Sequence, residues 1–470
     1  MSTLSDRLAA GRNRFQMVAG PFLQQKGLPF SQMLSAEAIE RAFAEHGALF
    51  AQDAIFSTPV VLWAFLSQAL RDGKGAACAA AVADIVAYGH QTGGPVPSGD
   101  TGDYCRARAK LAPEALRALV GESARQLEAA APKAWLWHDR HTKLIDGFTF
   151  TMPDTRANQR VFPQQETQTP GVGFPIARCC AVVSLATGAI HDVAIGPYQG
   201  KETGETALLR SILACLEEGD VAVLDRYFCS YWMLAILVGI GVDVCTRLHQ
   251  LREADFRRGR RLGDYDHVVT WRRPERPEWM SPEQYAGMPA TLTLRELEFD
   301  VTEPDRRTER ITVVTTLTDP EAYPKEEIAA LFGYRWNVEL DIRVIKQTLH
   351  LDHVRCKRPA MVRRELWVTL LAYNLIRKVA ATAAALHDKQ PRQMSFTFTC
   401  QRILSSWTLL ATGAIRDPEG YWAITLKQIA AHEVADRPGR IEPRVLKRRR
   451  HRYPLMRRPR AALRRELSKT

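Results

Sequence analysis

The sequence predicts an α/β fold: a mixed five-stranded sheet flanked by helices, with helical regions before and after it in the chain. Three observations predict it. Between residues 141 and 247 the apolar pattern runs strand, strand, strand, helix, strand, helix, strand. Residues before about 130 and after about 360 carry helical spacing instead. From His249 to about Arg310 the alternation gives way to short β candidates around a Pro-rich loop, which reads as a mostly β insertion. The expected organisation is a helical N-terminal region over 1–130 and the sheet domain in two parts, 131–248 and 311–390. The insertion fills 249–310, and 391–470 forms a C-terminal helical region with a basic tail.

Each element has a local reason. Ala36–His46 is amphipathic at helical spacing, and Thr58–Leu70 starts on a capping Thr with Pro59 at the first helical position. Asp72-Gly-Lys-Gly75 breaks that helix before a second over Ala76–Tyr88. The pair is compatible with a helix-turn-helix reader of DNA, although helix pairs with Gly turns are common in plain bundles. The helix start at Asp100-Thr-Gly-Asp-Tyr-Cys-Arg-Ala-Arg108 aims Arg106 and Arg108 at a phosphate partner, and Pro113–Ala130 closes the region. His141–Met152 is the first strand, and Ile176–Leu185 and Ile190–Ile195 flank the turn Ala186-Thr-Gly188. Thr203–Leu216 reads as helix, Val221-Ala-Val-Leu224 as a short buried strand, Phe228–Val238 as helix and Val242–Arg247 as strand. Inside the insertion, Asp266–Trp271 and Thr291–Val301 are strand candidates. Ile311–Leu317 resumes the sheet, a helix follows Pro324, and Met361–Leu386 and Gln401–Ala411 are helices.

The net charge of +12 is concentrated at one end. Arg437 to Thr470 holds 14 Lys or Arg against two Glu, which is +12, so the remaining 50 basic and 50 acidic residues cancel. A tail containing Lys447-Arg-Arg-Arg-His-Arg452 points to a polyanion, above all nucleic acid. No apolar run reaches membrane-spanning length and the first residues lack a signal-peptide core, so a cytoplasmic, nucleoid-associated bacterial protein with no membrane partner is expected. Nine scattered cysteines without paired CxxC spacing argue against a zinc site or a disulfide framework. Absence of a GxSxG elbow, a P-loop or a dinucleotide motif argues against serine hydrolysis and a nucleotide cofactor.

Three carboxylates stand out by position. Asp146 lies within the first strand, Asp225 directly after the fourth, and Glu339 on the helix after the last. In a sheet ordered 3-2-1-4-5 the first and fourth strands are neighbours, so the three can converge. This is the acid arrangement of the ribonuclease-H-like fold. Hydrolysing a phosphodiester near neutral pH needs an activated water and a stabilised leaving oxygen, which two oxygen-ligated cations about 3.5–4 Å apart supply. Carboxylates suit two Mg²⁺, or Mn²⁺, ions. Around Glu339, a single helix from Phe332 to Lys346 would carry Phe332, Arg335, Arg343 and Lys346 on the same face, at about 100° per residue.

These segments resemble the DDE transposases of bacterial insertion sequences, of the insertion-sequence-four type with a β insertion before the catalytic Glu. The matching stretches are Ile145-Asp-Gly-Phe-Thr-Phe-Thr-Met-Pro-Asp-Thr155, Leu224-Asp-Arg-Tyr-Phe228 and Arg335-Trp-Asn-Val-Glu-Leu-Asp-Ile-Arg-Val-Ile-Lys346. Asp100–Arg108 and Leu371-Ala-Tyr-Asn-Leu-Ile-Arg377 flank them. The resemblance implies Asp146, Asp225 and Glu339 as the catalytic metal ligands. It implies Arg335, Trp336, Arg343 and Lys346 as contacts to the DNA end, with Arg247, Trp271 and Trp279 as further candidates. The family's Tyr-Arg-Glu-Lys signature maps to Phe332, Arg335, Glu339 and Lys346, so Phe332 departs from it. Cut-and-paste transposition by a homodimer on terminal inverted repeats and target DNA is implied. A nuclease that only hydrolyses, or an inactive DNA-binding derivative, are the alternatives.

Overall fold

The computed structural model describes residues 34–47, 55–301, 309–411, 414–434 and 455–468. They fall into two compact units, one drawn from Met1–Asp139, Val183–Asp192 and Leu340–Val434, the other from Arg140–Val182, Val193–Glu339 and Ala435–Thr470. The chain opens with α1 (Ala36–His46), α2 (Thr58–Leu70), α3 (Cys78–Thr92), α4 (Thr101–Arg108) and α5 (Pro113–Ala129). It continues through β1 (Thr142–Thr151), α6 (Arg156–Val161), β2 (Ile176–Ser184), β3 (Ile190–Pro197), α7 (Glu205–Arg210), β4 (Val221–Leu224), α8 (Tyr231–Gly239) and β5 (Asp243–Arg247). The insertion carries β6 (Arg260–Gly263), β7 (Asp266–Arg272), α9 (Pro282–Gly287) and β8 (Thr291–Val301), and β9 (Glu309–Thr315) follows. Then come α10 (Lys325–Gly333), α11 (Trp336–Gln347), α12 (Pro359–Ala385), α13 (Phe396–Ala411), α14 (Pro418–Ala431) and α15 (Arg460–Leu467). No described helix is long and apolar enough to cross a membrane.

In the first unit α12 is the axle, packed against α5, α2 and α14 and buried almost continuously from Leu366 to Arg377. A helix buried on every side must satisfy its polar residues internally. Asn374 does so completely: Nδ2 donates to the Val120 and Ile190 carbonyls (3.1 and 2.9 Å) and to Ser123 Oγ (2.9 Å). Its Oδ1 accepts from the Ile190 amide at 2.9 Å. Asp341, 1% exposed, accepts from Tyr373, Arg377 and Arg392, so one buried carboxylate is shared by two guanidiniums. The helix pair compatible with a DNA reader packs as part of this bundle: α2 buries nearly every side chain, and α3 turns alanines outward with His90 as its one exposed basic side chain among those described.

In the second unit a single sheet runs β3-β2-β1-β4-β5-β9-β8-β7-β6. β1 pairs with β4 and β4 with β5 in parallel, whereas β5–β9, β9–β8, β8–β7 and β7–β6 are antiparallel. The first five positions are the ribonuclease-H-like order expected from the sequence. The sheet itself is larger than the five strands expected, because the insertion does not stand apart. β9 joins the edge of β5, and β8 pairs with it along seven residues, from Arg295↔Thr315 to Val301↔Glu309. That continuity covers the row of unpaired amides and carbonyls that β5 would otherwise present. A core of Ile145, Leu224, Leu234, Val244, Leu294 and Val314 runs through both parts. The basic cluster Lys447–Arg452 lies outside the described residues, while Arg457, Arg458 and Arg460 are exposed.

Candidate active site

The site begins with a register. β1 and β4 pair in parallel as Thr142↔Val221 through Ile145↔Leu224, so the next residue on each strand is an aspartate, Asp146 beside Asp225. β4 is four wholly buried apolar residues, and its chain turns polar only where it leaves the core. The Gly147 amide donates to Asp146 Oδ1 at 2.8 Å, and the Tyr227 amide donates to Asp225 Oδ1 at 2.6 Å. Thr246 Oγ1, from β5, donates to the Asp225 carbonyl at 2.8 Å and buttresses the strand end. Both carboxylates are therefore fixed by backbone rather than by mobile side chains.

Glu339 comes from the first turn of α11. Here the structure corrects the sequence expectation of one helix from Phe332 to Lys346. α10 ends at Gly333, and the chain passes Tyr334 and Arg335 as a turn before α11 begins at Trp336. Tight i→i+3 bonds carry it across, Arg335 N to Phe332 O (3.0 Å) and Val338 N to Arg335 O (3.1 Å). No left-handed residue makes the break: Gly333 still belongs to α10, and Tyr334 caps it at φ −64°, ψ −15°. The break separates Phe332 from the Glu339 face: Phe332 is 8% exposed, packed in the core beside Ile328 and Leu331. Arg335 still reaches Glu339, with Nη2 2.8 Å from Oε1. Its Nη1 lies 3.7 Å from Asp146 Oδ2, so one guanidinium ties the strand carboxylate to the helix carboxylate.

Burial, with the added repulsion of Asp225 and Glu339, pushes the Asp146 carboxyl up from 3.8 to about 7, against the pull of the Gly147 amide and Arg335. A carboxylate that reluctant to ionise beside two others marks a place that gains from positive charge. Arg335 supplies that charge here. Among the described residues, no three His, Cys, Asp or Glu side chains are gathered tightly enough to enclose a metal ion as they stand. The donor set nevertheless fits a hard divalent cation: all oxygen, all carboxylate, and held on backbone that a side-chain rotation does not disturb.

The remaining sequence candidates divide. Trp336 is half-exposed. Arg343 is exposed, and Lys346 pairs with Asp352 at 3.1 Å, both in the first unit. Arg247 ends β5, paired with Val313. Trp271 is 8% exposed, donates to Glu296 Oε1 at 2.8 Å and carries the Arg252 guanidinium 4.0 Å above its ring. Its indole is packed within the sheet. Trp279 is covered by the Arg210 guanidinium at 3.8 Å. In the first unit Arg106 is exposed, whereas Arg108 lies 4.6 Å over the Phe65 ring and donates to Gln68 at 2.9 Å. Together with Arg71, Arg355, Lys357 and Arg358 they line a cavity of about 1010 Å³. Val354 and Cys356 are buried while Arg355 and Lys357 are exposed, so an extended segment sets its cations outward at every second residue.

Sequence reasoning missed two residues. Asp341 is the buried anchor of α11, and the signal for it was weak, one more acid on a charged helix. Glu205, at the start of α7, lies against β1: a Cβ on Gly147 would fall 2.1 Å from its Cδ. The one clue in the sequence was a glycine directly after Asp146.

Comparison with known proteins places these residues in context. Residues 137–375, just over half of the chain, match the family model described as the transposase DDE domain. The transposase InsG for insertion sequence element IS4 of Escherichia coli strain K12 is 25% identical over 429 residues, covering 90% of this chain and 92% of that protein. The transposase for insertion sequence element IS421 of Escherichia coli is 35% identical over 66 residues, 14% of this chain and 18% of the relative. Among solved structures, a piggyBac transposase synaptic complex with hairpin DNA aligns over 91% of this chain and 86% of its own, with a TM-score of 0.41 and 10% identity.

Proposed function

The chain belongs to the transposase DDE domain family and is a DNA transposase; we propose that it moves an insertion sequence by cut and paste, cleaving at terminal inverted repeats and joining the freed ends to target DNA. The single observation that carries this reading is the β1–β4 register, which sets Asp146 beside Asp225 while Arg335 ties Asp146 to Glu339. In this reading the three carboxylates hold two divalent cations, Mg²⁺ or Mn²⁺. When bound, such ions activate the attacking oxygen and stabilise the leaving one.

The chain's own residues do the rest. Asp146 and Asp225 present oxygens fixed by backbone amides, so little ordering remains to be done when DNA arrives. Arg335, released from its two carboxylates, takes the phosphate of the element end. Trp336 stacks beside it, and in the first unit Arg343 and Lys346 contact DNA phosphates. The basic cavity with Arg106, Arg355 and Arg358 grips the duplex backbone, adding affinity that falls with salt but little sequence preference. Joining two ends requires that they be held together, so a homodimer forms the working complex. Its substrate places it in the bacterial cytoplasm, at the nucleoid.

The test uses the purified full chain, Mg²⁺ and duplexes carrying the inverted repeats that flank its gene. Cleaved ends and joined target products are expected. Cleavage without joining would mark a nuclease, and binding without cleavage a regulator.

A further inference from the structure

We propose that Glu205 is a fourth carboxylate ligand of the active-site divalent ions, admitted to β1 by the missing side chain of Gly147. This rests on the reading that Asp146, Asp225 and Glu339 hold metal. Glu205 is the first residue of α7, directly after Gly204, and is half-buried. Its carboxylate lies against the β1 backbone at the residue following Asp146. An ideal Cβ at Gly147 would fall 2.1, 2.3 and 2.6 Å from Glu205 Cδ, Oε1 and Oε2, so a side chain there would displace the carboxylate from its present place. Gly147 is not among the described glycines with positive φ, so turn geometry does not demand glycine there; the Glu205 carboxylate occupies the space a Cβ would take and would have to swing aside for one.

Placed so, Glu205 serves no visible structural purpose. Among the described residues its carboxylate makes no hydrogen bond and no ion pair within 4.0 Å, and Arg178 and Asp225 act on it through their charge alone. Arg178 is the cation nearest in effect, yet its guanidinium covers the Tyr198 ring at 4.3 Å and donates to the Thr203 carbonyl at 3.4 Å. After Arg178, the charge that acts on Glu205 is that of Asp225, and Glu205 and Asp146 both act on the buried Cys180 thiol. Burial and the charge of Asp225 both oppose an ionised carboxylate here, and Arg178 offsets them without a direct ion pair. A cation site selects it, since each added carboxylate oxygen strengthens binding of a hard ion and replaces a water in its shell.

The experiment measures Mn²⁺ binding to the full chain by titration calorimetry and by the loss of the free-ion paramagnetic resonance signal, without DNA. The proteins are wild type, Glu205→Gln, Gly147→Ala and Asp146→Asn. Glu205→Gln preserves size and hydrogen-bonding capacity but not charge, and should weaken Mn²⁺ binding about tenfold or more, the scale set by changes around metal ligands. It should also raise the melting temperature of the metal-free protein, since one of several crowded charges is gone. Gly147→Ala should weaken Mn²⁺ binding similarly by pushing the carboxylate away. Unchanged Mn²⁺ affinity in Glu205→Gln, with Asp146→Asn abolishing binding, would overturn the role of Glu205 alone. A metal-free Glu205→Gln protein less stable than wild type would likewise assign Glu205 to structure. Unchanged binding in Asp146→Asn would overturn the metal centre itself, and this proposal with it.

Discussion

Replacing Asp146 by Asn should stabilise the metal-free protein while abolishing its chemistry. The magnitude follows from the position of the Asp146 carboxyl, raised from 3.8 to about 7 by burial and by Asp225 and Glu339. In the unfolded chain the group ionises near its ordinary value, so the folded state binds its proton more tightly. Stability present below about pH 4 is therefore lost as pH rises toward 7, at up to about 1.4 kcal/mol per pH unit, and is level above that. The total is about 4 kcal/mol as a ceiling, for a side chain that is 16% exposed and partly compensated by Arg335 at 3.7 Å. Asn at this position never ionises and escapes the loss. Urea unfolding of both proteins at pH 5 and pH 8 should show a gap that widens by about 2–3 kcal/mol between the two pH values. Saturating Mg²⁺ at pH 8 should narrow the gap by stabilising the wild type alone. A gap of the same size at both pH values, or an Asn variant less stable at pH 8, would refute the reasoning.

Glu339→Gln should abolish cleavage of end duplexes while leaving their binding in a mobility-shift assay within about twofold; lost binding would make Glu339 structural. Asp341→Asn should cost about 3–5 kcal/mol in denaturant unfolding, because it leaves Arg377 and Arg392 without their buried counter-charge. Phe332→Tyr should not raise activity and should cost about 1–3 kcal/mol of stability, since the added hydroxyl enters a core position that is 8% exposed. Arg355→Ala combined with Arg358→Ala should weaken DNA binding uniformly across sequences and reduce the slope of log affinity against log salt by about 2.

What could be read from the sequence follows the physics of each element. Val221–Leu224 was legible to the residue because four consecutive apolar residues ending on an acid have one reading, a buried strand leaving the core. With β1 equally clear, the pairing of Asp146 and Asp225 followed from strand order alone. The same logic fails where partners are distant in sequence. The β insertion was recognised, but that β9 would pair with β5 and extend one sheet to nine strands depends on edges that no local pattern records. β6 escaped because Arg260-Arg-Leu-Gly263 has neither alternation nor β-branched residues. α14 was announced by Asp417 and Pro418 and overlooked, a capping signal hidden by its weak amphipathicity. The break at Tyr334–Arg335 was not legible, because the spacing of the charges around it is that of one continuous helix. Glu205 could not have been found from its own neighbours, since only the close approach over Gly147 distinguishes it from any acid at a helix start.

The most direct test is the anomalous scattering of Mn²⁺ in crystals of the full chain bound to its own repeat-end DNA. The account predicts manganese peaks between Asp146, Asp225 and Glu339, with Arg335 turned from the carboxylates to a DNA phosphate. Manganese elsewhere, with Arg335 still bridging Asp146 and Glu339, would contradict it.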